Sequence, residues 1–202
     1  MEKRFNHTCK TERVFKKYYI EETDGKKYIY PDTASEIKEI SPFEDALKMV
    51  LEYLNIGYLA ENGYATEDEV LGFVSEYGFP KRNSKRCSID ELTEDMQVLY
   101  LHFSEISASE YPDEPEWILE TEPMAAVIRR EGENVYTEWQ TKNLAAAIET
   151  AYTLLICDEH RYIGLCKHCG KPYQVKNPKS EFCSAPCRNR FNVYKSRAKL
   201  GK

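Results

Sequence analysis

The 202-residue chain contains no apolar run approaching the ~18 consecutive residues that a membrane helix needs. Its charged opening, Met1-Glu2-Lys3-Arg4, leads into no apolar stretch of signal-peptide type, and the expectation is a soluble, cytoplasmic protein. Glycine and proline are sparse at nine residues each, and no repeat or low-complexity tract is present, which excludes a collagen-like chain. Catalytic signatures are missing as well. There is no phosphate loop, dinucleotide fingerprint, His-Glu-x-x-His helix or serine nucleophile elbow. Glu159 and His160 are adjacent, and neighbours in a helix point to different faces, so a shared catalytic role is not expected. The chain reads as a non-enzyme with no catalytic residues.

Acidic residues are almost absent from one end. Residues 161–202 hold eleven Lys/Arg against Glu181 alone, a balance of +10, so the first 160 residues carry −16 within a net charge of −6. Hydrophobic residues at 42 % and charged residues at 31 % are those of a globular chain with a sizeable core. The asymmetry divides that chain into an acidic body, residues 1–160, and a basic tail, residues 161–202, suited to a polyanion.

The acidic body carries mostly helical patterns. Val14 to Tyr30 is rich in aromatic and β-branched residues and is split by Asp24-Gly25, which predicts a β-hairpin. Ser41-Pro42-Phe43-Glu44 forms a capping box opening a first helix, with Phe43, Ala46, Leu47, Val50, Leu51 and Leu54 on its apolar stripe. Thr66 to Glu69 repeats that logic for a second helix that Gly78-Phe79-Pro80 ends. Lys81 to Arg86 reads as a solvated basic loop, and Ile89 to Ser107 as a third helix burying Leu92, Met96, Leu99, Tyr100, Phe103 and Ile106. Tyr111 to Pro123, acidic and proline-rich, is a surface connection. Ala125–Ile128 and Val135–Trp139 flank a turn in a second hairpin, and Asn143 caps a helix to about Glu159 with Leu144, Ala147, Ile148, Ala151, Leu154 and Leu155 inward. Cys9, Cys87 and Cys157 are scattered thiols, with Cys157 expected to be buried in its apolar run.

The other four cysteines follow a metal pattern: Cys166-x2-Cys169, thirteen residues, then Cys183-x3-Cys187. Without a secretory signal, metal ligation is favoured over disulfides, and four sulfur ligands around a tetrahedral centre suit one structural Zn2+. Cys166 to Gly170 has the form of a knuckle, with His168 exposed within it. Lys171 to Phe182 offers a short hairpin turned at Asn177-Pro178. A helix starting at Cys183 or Ser184, with Pro186 in its first turn, places Cys183 and Cys187 on one face. Knuckle, hairpin and helix describe a treble-clef-like zinc finger. The fold class expected is α+β, mainly α: a helical N-terminal domain with two hairpins, followed by that finger.

Phe182-Cys183-Ser184-x-x-Cys187-Arg188-Asn189-Arg190, followed by a Lys/Arg-rich helix, resembles the CGNR-type zinc finger of predicted bacterial transcription regulators, over about Leu165 to Lys199. Arg188 stands where that family has glycine. The resemblance implies DNA binding behind an N-terminal domain that senses a ligand or stress. From Pro186 onward the expected inner face is Cys187, Phe191, Tyr194 and Ala198. The expected nucleic-acid contacts are Arg188, Arg190, Asn192, Lys195, Arg197 and Lys199. DNA is preferred over RNA by the resemblance alone. A small ligand or protein at the N-terminal domain, a homodimer and no membrane partner complete the expectation. The alternative is a zinc-finger adaptor that holds a protein or RNA without recognising DNA.

Overall fold

The structure, a computed structural model, describes residues 7–9, 14–40, 45–80, 84–108, 125–132 and 134–200. The first strands in chain order are β1 (His7–Cys9) and β2 (Val14–Phe15), followed by β3 (Tyr18–Thr23) and β4 (Lys26–Pro31). Asp24-Gly25 turns β3 into β4, paired antiparallel from Tyr18 opposite Pro31 to Thr23 opposite Lys26. The expected hairpin is thus shorter at its start: Val14 and Phe15 pair instead with β5 (Ile37–Lys38).

Helix α1 (Ala46–Glu61) begins at Asp45, whose Oδ1 accepts the Lys48 N–H at 3.3 Å. The Ser41 capping box lies outside the described residues, and the helix itself opens four residues later than Pro42. α2 (Glu67–Tyr77) has the expected reciprocal box: the Glu69 N–H donates to Thr66 Oγ1 at 3.4 Å and the Thr66 N–H to Glu69 Oε2 at 2.8 Å. Of the basic loop, Lys81 to Asn83 lies outside the described residues. The rest is not simply solvated. β6 (Cys87–Ser88) adds to β4 as a third strand, which brings the Arg86 guanidinium to 4.0 Å from the Tyr28 ring centre and within 3.1 Å of Tyr30 Oη.

α3 (Ile89–Ala108) runs within one residue of the expected span, burying Leu92, Met96, Leu99, Tyr100 and Phe103, with Ile106 half-buried. The proline-rich connection from Tyr111 to Pro123 lies outside the described residues. β7 (Ala125–Glu131) and β8 (Asn134–Thr141) form the second hairpin, and β1 joins β8 in parallel. α4 (Leu144–Cys157) is capped by Asn143, whose Oδ1 accepts the Ala146 N–H at 2.8 Å. It ends two residues before Glu159. Two expectations there fail: Leu154 and Cys157 are exposed, because the buried positions of α4 end at Tyr152 and its last turn runs out of the core, where only Leu155 and Ile156 stay half-buried against it. The chain closes with β9 (Ile163–Leu165), β10 (Pro172–Gln174) and α5 (Ala185–Leu200).

The result is a mixed α/β chain with five helices and four small sheets among the described residues. The four helices of the acidic body, α1 to α4, share one core, with Met49, Val50, Leu54, Val74, Met96 and Ile148 almost fully buried. α1 and α3 approach so closely that a Cβ at Gly57 would lie 2.0 Å from the Met96 carbonyl oxygen. Ile163 of β9 enters the same core, Leu165 packs against it, and Pro172 of β10 is fully buried. The cysteine-bearing segment is therefore seated on the helices. No helix among the described residues is long and apolar enough to cross a membrane.

Candidate metal centre and cationic helix

Cys166 and Cys169 occupy the turn between β9 and β10, which pair antiparallel from Leu165 opposite Pro172 to Ile163 opposite Gln174. The Gly170 N–H donates to the Cys166 carbonyl at 2.8 Å, and the Cys166 N–H to the Lys171 carbonyl at 3.1 Å. Gly170 takes φ 74°, a conformation cheap only for glycine, which is why the knuckle ends there. The hairpin expected over Lys171 to Phe182 is corrected by this pairing: β10 is spent on β9. Asn177 does make a turn, accepting the Ser180 N–H at 2.8 Å. The returning chain then forms no strand. It is tied down by the Lys167 N–H donating to the Glu181 carbonyl at 3.0 Å, by the Lys167–Glu181 ion pair, and by Tyr173 Oη donating to the Ser180 carbonyl at 2.7 Å.

That return delivers Cys183 to the knuckle two residues ahead of α5. Ser184 Oγ accepts the Cys187 N–H at 3.4 Å, capping the helix, and Pro186 sits in its first turn as expected. The ligand atoms of Cys166, Cys169, Cys183 and Cys187 all lie within 4.8 Å of one another. Separations of 3.8 Å for Cys169–Cys183, 3.5 Å for Cys183–Cys187 and 3.8 Å for Cys169–Cys187 describe a compact cluster. A tetrahedron with metal–sulfur bonds of 2.3 Å has edges of about 3.8 Å, so these four residues can hold one metal ion.

Electrostatics within the cluster are those of closely packed thiols. Burial, with the hydrogen bond its thiol donates to Cys187, pushes the Cys183 thiol up to about 12, and burial likewise raises Cys169. Burial also acts to raise Cys166, but backbone N–H groups of Cys183, Cys169 and His168 outweigh it and draw that thiol down to about 7. One sulfur is thus poised to ionise while those of Cys169 and Cys183 resist. Thiolates in contact cannot all form unless a positive ion compensates them.

The seat of the centre was not legible in the sequence. Tyr100, expected only as a core residue of α3, donates through Oη to the Gly170 carbonyl at 3.1 Å, and Tyr58 of α1 meets the Tyr100 ring edge-to-face at 5.6 Å. No local pattern links residues seventy positions apart.

Compared with known proteins, the chain matches no family model, no curated protein and no solved structure. What the site does is argued from its geometry.

α5 leaves the centre as a helix covered only at its start. Phe191 packs on Phe182 with ring centres 5.2 Å apart, and Tyr194 stacks on His168 at 5.8 Å. His168 is therefore half-buried under Tyr194, not exposed as expected, and it is not among the clustered ligands. The expected inner face also ends early: Tyr194 remains 58 % exposed and Ala198 is exposed, because the hairpin is too short to reach the last turns. Every residue from Asn192 to Lys199 is exposed. Arg188, Arg190, Lys195, Arg197 and Lys199 lie on the surface and form no ion pair among the described residues; Asn192 lies among them.

Proposed function

We propose that this chain is a DNA-binding transcriptional regulator in which Cys166, Cys169, Cys183 and Cys187 hold one structural Zn2+ and α5 presents the nucleic-acid surface. The observation that carries the proposal is the set of five cationic side chains exposed on α5, which form no ion pair among the described residues, in a chain whose acidic residues lie overwhelmingly elsewhere. A helix meant only for solubility has no need of ten net positive charges in its 42-residue segment. Zinc would leave about +8 after four thiolates form, still a polycation.

The donor set supports zinc as the metal, since four thiolates at tetrahedral spacing select a soft-tolerant ion without redox chemistry. Four sulfurs also close the coordination shell, leaving no position for water or substrate, and the proposal accordingly assigns the chain no catalysis. A knuckle followed by a helix that supplies Cys187, with Cys183 just ahead of its start, is treble-clef-like, with the central hairpin replaced by the Asn177–Ser180 turn. Zinc in this arrangement fixes the angle at which α5 leaves β9 and β10. The helical body, residues 1–160, is assigned the sensing or partner-binding role.

Metal analysis combined with binding to a random-sequence DNA duplex at low salt tests the proposal. One zinc per chain and duplex binding are expected. A chain free of zinc, or one that binds no duplex at low salt, would overturn it and leave a protein or RNA partner for the tail.

A further inference from the structure

The charges on α5 are not spread evenly round the helix. At about 100° per residue, Arg188, Lys195 and Lys199 fall on one flank, and Arg190 and Arg197 on another roughly 170° away. The side between them that faces the metal centre carries Cys187 and Phe191, with Tyr194 and Ala198 continuing its line. The opposite side, facing away from the protein, carries Asn189, Val193 and Ser196, all exposed, with Val193 at 47 %. In section α5 is a bar with one anchored face, two cationic flanks and an uncharged outer ridge.

That distribution discriminates between targets. A helix that meets a flat acidic surface, whether of another protein or of its own acidic body, gains most by placing its cations on the outermost face. Here the outermost face has none. Cations on both flanks with a neutral ridge between them suit a channel with anionic walls and a floor of hydrogen-bonding and methyl groups. The major groove of B-DNA is such a channel, about 12 Å wide, and accepts a helix of about 10–12 Å diameter. Apart from the His168 ring against Tyr194, every residue of α5 from Asn192 to Lys199 is exposed among the described residues, so its last turns are free to enter the groove.

Resting on the proposed DNA-binding role, we infer that α5 lies in the major groove and reads base edges through Asn189, Val193 and Ser196, while the two flanks grip opposite phosphate backbones. The ridge chemistry specifies the class of site. An Asn amide pairs with adenine N6 and N7, an apolar branched side chain meets the thymine methyl, and a serine hydroxyl serves either partner. The site read is A·T-containing duplex. Asn192, expected to contact bases, falls beside Lys195 and Lys199 and belongs to the phosphate-facing flank.

The test is selection by the zinc-loaded full chain from a duplex library with a randomised core, followed by the Asn189→Ala/Ser196→Ala and Lys195→Ala/Lys199→Ala variants. The expected result is an enriched A·T-containing motif bound about tenfold or more above bulk competitor. The Asn189→Ala/Ser196→Ala variant should lose that preference while keeping its zinc, its helical circular dichroism and its affinity for bulk duplex. The Lys195→Ala/Lys199→Ala variant should bind every sequence more weakly and keep the preference. Duplex binding without any enrichment, or enrichment that survives Asn189→Ala/Ser196→Ala, overturns the ridge assignment and leaves the regulator's cationic surface in place. Absence of duplex binding overturns both.

Discussion

The salt dependence of duplex binding puts a number on the cationic flanks. Each phosphate neutralised by a lysine or arginine releases condensed counterions, and the logarithm of the affinity falls with the logarithm of salt at about −0.9 per contact. If Arg188, Arg190, Lys195, Arg197 and Lys199 each meet one phosphate, the slope is about −4.5, and affinity drops about 500-fold between 50 and 200 mM salt. Replacing Lys195 and Lys199 with Ala removes two contacts from one flank. The slope should then relax to about −2.7, and the same change in salt should cost about 40-fold. Both side chains are exposed and neither is one of the four clustered ligands, so zinc content should not change. Fluorescence anisotropy with a labelled nonspecific duplex across a KCl series measures both slopes. A wild-type slope shallower than about −2, or a variant slope equal to the wild type, would refute the claim that these side chains reach phosphates.

Other perturbations test the body and the centre. Cys183→Ser should lose stoichiometric zinc and leave the region after Leu165 sensitive to protease, whereas Cys87→Ser, outside the cluster, should keep both properties; equal behaviour of the two variants would refute the ligand assignment. Gly57→Ala places its Cβ 2.0 Å from the Met96 carbonyl oxygen, a backbone atom of α3 that cannot swing aside. The overpacking should outweigh the helix-propensity gain of up to ~1 kcal/mol and cost about 1–3 kcal/mol in urea unfolding; an unchanged or higher midpoint counts against the close packing of α1 on α3. His102, with Nδ1 2.8 Å from Tyr152 Oη, is held by burial below its ordinary pKa of 6.5, against a smaller opposing pull from Glu105. As pH falls through 6.5 the unfolded chain takes up the proton first, so stability present at pH 7 should decline below it; a His102→Gln variant that declines just as steeply would show that another group is responsible.

The sequence by itself determined whatever rests on neighbours along the chain. The capping box at Thr66, the asparagine cap at Asn143, the turn at Asp24-Gly25 and the span of α3 all follow from contacts within about one helical turn or one tight reversal. The four-cysteine cluster was legible for the same reason, because x2 and x3 spacings each bring two sulfurs to one point with little help from the rest of the fold. Only the tertiary structure decided the rest. β10 pairs backward with β9 instead of forward into a second hairpin, and β6 becomes a third strand beside β4, because strand pairing depends on which edge is free when the segment arrives. Cys157 and Leu154 are exposed because the core that buries α4 from Leu144 to Tyr152 ends before its last turn, whose apolar content alone does not bury it. The hydrogen bond from Tyr100 to Gly170 joins two segments that share no local pattern, and it exists only because α1 and α3 pack closely beneath the knuckle. The exposure of α5 has the same origin: its composition declares a cationic helix, but the shortness of β9 and β10 leaves its final turns uncovered and the Asn189–Val193–Ser196 ridge facing outward.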